Sequence, residues 1–158
     1  MGLDIFLNKK VQIGSKYGMC QSDTVKITTD LRGNELTLHG YEIVEGEITV
    51  QSICWRKANA IAKWFARNIP SWKDDEGVYP VTEEMLRKLL LVAKKIKQNP
   101  SRAPRLLPTW KKMGSFCGSE YYDDFYLADI EYTINALEKV LTNVSECEGI
   151  SYTYQATW

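Results

Sequence analysis

The feature that most constrains this chain is a change of hydrophobic period near residue 54. Before it, apolar residues return at every second position; after it, at every third or fourth. In residues 2–8, Leu3, Ile5 and Leu7 fall on one side and Asp4, Phe6 and Asn8 on the other, the period of a strand. Val25–Thr29, Glu35–His39, Tyr41–Glu45 and Glu47–Val50 are further strand candidates, with Gly33-Asn34 and Glu45-Gly46 as hairpin turns. From Cys54 the spacing predicts a helix over Cys54–Ile69, with Cys54, Ala58, Ile61, Phe65 and Ile69 as its stripe and Pro70 as its stop.

The remainder alternates between the two periods. Val78–Val81 reads as a short strand. Thr82 caps a second helix with the stripe Leu86, Leu89, Leu90, Ala93 and Ile96. Glu83 and Glu84 suit its positive end, and Lys94, Lys95 and Lys97 its negative end. Asn99–Pro108 holds three prolines and reads as an irregular connection. Gly114–Ser119 reads as a small-residue loop, after which Ser119 caps a third helix over residues 120–143. Tyr152–Trp158 alternates again. Strands first, helices later and one closing strand give an α+β class: an antiparallel sheet with about three helices packed on one face, the last strand returning to that sheet. No stretch is long enough to separate two domains, so 1–158 reads as a single domain.

Composition narrows the function. A chain of 158 residues buries roughly 70% of its unfolded surface and needs no metal or disulfide to fold. With 44% hydrophobic and 25% charged residues, disordered, collagen-like and coiled-coil chains are excluded. Twenty basic residues balance twenty acidic ones, which argues against duplex nucleic acid as a partner. Cys20, Cys54, Cys117 and Cys147 make no C-x-x-C pair, and no structural zinc or other cofactor is expected. The start lacks the basic and apolar regions of a signal peptide, and no apolar run spans a membrane. These features fit a reducing cytoplasm.

The net zero hides polarity. Residues 87–112 carry nine basic side chains and no acidic one, whereas 120–148 carry eight acidic residues and one lysine. Either the two segments are neighbours that offset each other, or the basic one attracts a phosphorylated small molecule or an acidic partner. Arg102 and Arg105, on a proline-stiffened loop, suit a phosphate grip. On the first helix, Arg56, Lys57 and Asn59 lie off the stripe. Trp55 and Trp64 sit on its margins, either finishing the core edge or offering a stacking platform. On the third helix, Asp129 and Thr133 stand inside the apolar stripe. A carboxylate there must be paired or titrate to its neutral form, so it marks either a buried polar network or the floor of a polar pocket.

Catalytic constellations are scarce. His39 is the one histidine and reads as an edge residue; no nucleophile elbow, zinc-protease, phosphate-loop or dinucleotide motif is present. The acidic pairs Asp74-Asp75 and Asp123-Asp124 read as solvated charge rather than Mg²⁺ ligands.

One set of residues carries a resemblance: Met1-Gly2-Leu3-Asp4-Ile5-Phe6-Leu7, the run from Trp55 to Phe65, Leu107-Pro108-Thr109, Gly118-Ser119, Tyr121 to Tyr126, Asp129 with Thr133, and the terminal Tyr-x-Tyr-x-x-x-Trp. In that order they are similar to a family of small phage and prophage proteins, mostly without assigned function. Relatives often carry His where this chain has Ala62, which turns the reading from imidazole chemistry toward binding. The resemblance implies an accessory role in a bacterial host cell, such as countering host defence by sequestering a nucleotide signal or blocking a defence protein.

The reading that results is a non-enzymatic accessory protein that binds a small anionic, nucleotide-like ligand. Arg56, Lys57 and Asn59 would supply polar contacts, Trp64 and Tyr121 stacking, Arg102 and Arg105 a phosphate grip, and Asp129 would orient the donors. A homo-oligomer that completes the pocket across its interface would help. The alternatives are a protein–protein inhibitor using exposed Trp72, Trp110, Trp158 and the basic segment, and a metal-dependent nucleotide phosphodiesterase.

Overall fold

The computed structural model describes residues 2–13, 24–28, 35–39, 46–111, 117–142 and 149–157. The elements run β1 (Asp4–Ile13), β2 (Thr24–Thr28), β3 (Glu35–His39), β4 (Gly46–Arg56), α1 (Asn59–Asn68), β5 (Val78–Val81), α2 (Glu83–Gln98), α3 (Ala103–Leu106), α4 (Asp124–Thr142) and β6 (Ile150–Thr157). This is the α+β architecture that the change of period implies. The expected strand Tyr41–Glu45, the Gly33-Asn34 turn, Glu45 of the second turn, Gly114–Phe116 of the small-residue loop and Trp158 lie outside the described residues, and Gly46 opens β4.

The main sheet is antiparallel, in the order β4-β1-β6-β5, and β2 and β3 pair separately. β6 therefore does return, and it takes a central place: Asp4 of β1 faces Thr157, while Tyr79 of β5 faces Tyr154. Alternation sorts the sheet's faces. Leu3, Ile5, Leu7, Ile53, Trp55, Tyr79, Val81, Tyr152, Tyr154 and Ala156 are all buried in one core. Asp4, Phe6, Cys54, Arg56 and Gln155 alternate with them on the other face and stay half-buried or exposed.

The first helix starts later than its stripe predicts. Cys54, Trp55 and Arg56 belong to β4, where Trp55 pairs with Ile5 and Arg56 with Asp4. Two apolar residues in a row at 54 and 55 mask the strand period, and the spacing from Cys54 to Ala58 mimics a helix. Burial of Ile53 and Trp55 beside β1 decides in favour of the strand. Trp55 is consequently a core residue and not a marginal platform.

Phe65 of α1 organises the packing. Its ring lies 4.6 Å from that of Tyr154, 5.9 Å from Trp55 and 5.2 Å from Trp64, centroid to centroid, the last edge-on. Leu86, Leu89, Ala93 and Ile96 of α2 join Ile130, Ile134, Leu137 and Leu141 of α4 in the same core.

Thr82 caps α2 as expected, its Oγ1 accepting the Met85 N–H at 3.2 Å. The basic and acidic segments are neighbours: Lys94 reaches Glu138 at 2.6 Å and Lys97 reaches Glu131 at 2.8 Å, between α2 and α4. The prolines of Asn99–Pro108 do not abolish helix. Pro100 opens a 3₁₀ turn (Pro100–Arg102) and Pro104 is the second residue of α3, both within a first turn where no N–H is needed. Among the described residues no helix is long and apolar enough to cross a membrane.

Candidate functional site

The site starts at the corner between β4 and α1. Lys57 donates its N–H to the Leu3 carbonyl at 2.7 Å, adding one rung beyond the ladder, and then turns the chain with φ of +57°. That is the left-handed region, unfavourable for a lysine by roughly 1–2 kcal/mol. Gly118, at φ +111°, packs against the Lys57 carbonyl so closely that a Cβ there would overlap the oxygen. Beside them Asn59 is buried and hydrogen-bonded through both its amide nitrogen and its oxygen. Its Nδ2 donates to the Ser119 carbonyl at 2.9 Å, and its Oδ1 accepts the Trp110 N–H at 3.3 Å. Asn59 thus clips two loops to the start of α1.

The fourth helix opens differently from the expectation. Asp123, not Ser119, caps α4: its Oδ1 accepts the Tyr126 N–H at 3.0 Å. Ser119 supports that cap, donating to Asp123 Oδ2 at 2.7 Å and accepting the Tyr121 N–H at 3.1 Å. These bonds hold the Asp123 carboxyl below the usual carboxylate range, the Ser119 bond contributing most.

Between the Arg56–Lys57 corner, the first turn of α1, the segment 118–121 and the face Phe125–Ile130 of α4 lies a cleft of about 740 Å³. Arg56, Lys57, Asn59, Tyr121 and Asp129 all line it. Arg56 reaches into water with its Nε 3.3 Å from Asp4 Oδ1, and Lys57 is likewise exposed. Tyr121 and Phe125 are 77% and 78% exposed, which leaves two aromatic faces uncovered at the mouth. Phe125 was not singled out from the sequence. Its signal is an aromatic residue four positions from Tyr121 and off the apolar stripe.

Asp129 is the chemical centre of the cleft. Its carboxylate has no hydrogen bond or ion pair among the described residues; only its backbone carbonyl is engaged, by Thr133 Oγ1 at 2.7 Å. Burial, with the like charge of Asp123 nearby, pushes the Asp129 carboxyl up to about 6. Thr133 in turn accepts the Trp55 indole N–H at 2.9 Å. The polar pair in the stripe therefore divides its work, Thr133 serving the core and Asp129 facing the cleft.

Three other expected contacts do not converge here. Trp64 is buried edge-on to Phe65 and borders a separate, smaller recess beside Arg67 and Leu107. Arg102 and Arg105 stand exposed on the 3₁₀ turn and α3, and neither borders the cleft. Trp72 and Trp110, expected to be exposed, are instead half-buried against each other and the core, with ring centroids 5.7 Å apart. Among the described residues no group of three His, Cys, Asp or Glu side chains gathers to hold a metal ion. Comparison with family models, curated proteins and solved structures finds no match. The arrangement offers aromatic faces, cations at the rim and one unsatisfied acceptor at the floor.

Proposed function

We propose that this protein is a non-enzymatic binder of a small planar anion of nucleotide type, with the cleft at the Lys57 corner as its site. One observation carries the reading: two residues held at a cost to the fold face this cleft together. Lys57 holds a left-handed backbone that glycine would hold more easily, and Asp129 holds a half-buried carboxylate without a donor. Strain and perturbed titration cluster at functional sites, where the surrounding fold holds a residue in a costly state that suits a ligand. Tyr121 and Phe125 would stack a ring, a contact of about 1–3 kcal/mol for each base. Lys57 and Arg56 at the rim would meet its phosphate.

The resemblance to phage and prophage proteins gives this binding a setting, sequestration of a nucleotide signal in the cytoplasm of a bacterial host. A sponge of that kind needs nanomolar affinity, about −12 kcal/mol. The test is to heat-denature the purified protein and identify what enters the supernatant by mass spectrometry, then to titrate the emptied, refolded protein with that compound. An unmodified phosphorylated heterocycle whose affinity drops at least tenfold in Lys57→Gln supports the proposal. A supernatant free of such compounds, together with no binding from a panel of mono- and dinucleotides, defeats it.

A second reading rests on a different observation. Tyr121, Phe125 and Tyr132 are all exposed at the start of α4 and along its outer side, the residue types that anchor protein interfaces. A single stoichiometric host protein captured through these side chains would favour an inhibitor of that protein.

A further inference from the structure

The cleft's polar inventory constrains the edge of the ring it can hold. Asn59 has spent its oxygen and one of its N–H groups on Trp110 and Ser119, and the Ser119 hydroxyl is held by Asp123 and Tyr121. Arg56 is drawn toward Asp4. What remains for a ring edge inside the cleft is the second N–H of Asn59 and, with the larger capacity, the Asp129 carboxylate, an acceptor of two parallel hydrogen bonds once ionised.

We propose that Asp129 selects a ring presenting two adjacent N–H donors, and that the ligand is therefore a guanine nucleotide. This inference rests on the nucleotide reading above and sharpens it. The N1–H and exocyclic N2–H of guanine match the two carboxylate oxygens. Adenine and cytosine set a lone pair beside their amino group, and that lone pair would face a carboxylate oxygen. Uracil, hypoxanthine and xanthine each lack the paired donors. The opposite choice, a ring read through its acceptors, would rest on the second N–H of buried Asn59, a single neutral donor against the two charged acceptor oxygens of Asp129. The phosphate would lie toward Lys57 and Arg56.

The experiment is calorimetric titration of the nucleotide-free protein with GMP, IMP, AMP, XMP and guanosine at pH 7.5, repeated on Asp129→Asn. Removal of one charge-assisted hydrogen bond in IMP is expected to weaken binding at least tenfold relative to GMP, and AMP should fall further. Guanosine, without the phosphate, should also bind more weakly than GMP. In Asp129→Asn the order should invert, with GMP weakened and XMP strengthened, because an amide offers one donor to the xanthine carbonyl. A gain for XMP cannot come from a damaged fold. If GMP, IMP and AMP bind within threefold of one another, or if Asp129→Asn weakens all of them alike, the guanine assignment is wrong while nucleotide binding stands. If none of the five binds at millimolar concentration and the dinucleotide panel is also negative, both readings fall.

Discussion

Asp129 makes a cleft residue measurable through stability alone. Its folded carboxyl titrates near 6, above its ordinary value of 3.8. A raised carboxylate leaves the fold most stable below the unfolded value, and that contribution is lost as pH rises from about 4 through 6. Asp129→Asn removes the buried charge, so the variant should exceed the parent at pH 7.5 by about 1 kcal/mol, a figure discounted for the water that reaches a half-buried group. The advantage should shrink through pH 6 and vanish near pH 4 in urea melts. A loss of stability at pH 7.5 would mean that the carboxylate is anchoring structure. Lys57 behaves in the same spirit: Lys57→Gly should leave stability unchanged or raise it by up to about 1 kcal/mol while weakening an anionic ligand. Gly118→Ala should do the reverse, costing about 3 kcal/mol by driving a methyl into the Lys57 carbonyl from a left-handed backbone. Much of this site is readable from residue types. A carboxylate inside an apolar stripe announces itself, and Arg56, Lys57 and Asn59 stand together in the chain. The left-handed turn at Lys57 does not, because no glycine or asparagine marks it, and Phe125 hides among the tyrosines around it.

At the level of elements, the boundary between β4 and α1 is the instructive case. A helical wheel drawn from Cys54 puts Trp55 and Arg56 on a helix, and the sheet takes both because Ile5 and Asp4 lie opposite them. Periodicity within one segment cannot register a partner strand fifty residues away. The same limit explains Trp64, whose place on a wheel margin suits stacking until α1 turns it against Phe65. Long periodic segments fared better: α2, its Thr82 cap and β5 follow their spacing, because there local preference and burial agree. Among the described residues, the side-chain hydrogen bond between β4 and α4 runs through the Thr133 hydroxyl. Thr133 Oγ1 accepts from Trp55 Nε1 and donates to the Asp129 carbonyl, so both of its capacities are used. Thr133→Val should leave the indole N–H unsatisfied in the core and cost about 2 kcal/mol by chemical denaturation. Combined with Trp55→Phe, the loss should be smaller than the sum of the two single losses, since removing the donor removes the unmet demand. Additive losses would show that the bond contributes nothing beyond packing.

For the whole molecule, the decisive arrangement is that the first and last described strands occupy the middle of the sheet. β6 supplies Tyr152, Tyr154 and Ala156 to the core and pairs with β1 on one side and β5 on the other. Without it, β5 loses its partner, β1 loses one edge, and Phe65 loses the ring against which it packs most closely. Every described residue that lines the cleft lies at or before position 130, yet its walls are held by a core that closes only when residues 150–157 arrive. A chain ending at residue 149 should therefore fail to unfold cooperatively and should expose apolar surface to a hydrophobic dye. The register offers a rescue. Thr157 faces Asp4, so the end of β6 lies beside the start of β1, and a turn of about four residues can join them. Moving Gly149–Thr157 in front of Gly2 through such a turn should restore a cooperative transition and cleft binding together, since the strand keeps both neighbours and changes only its place in the chain. If the rearranged chain folds no better than the shortened one, β6 is needed for its covalent link to α4 and not for its pairing.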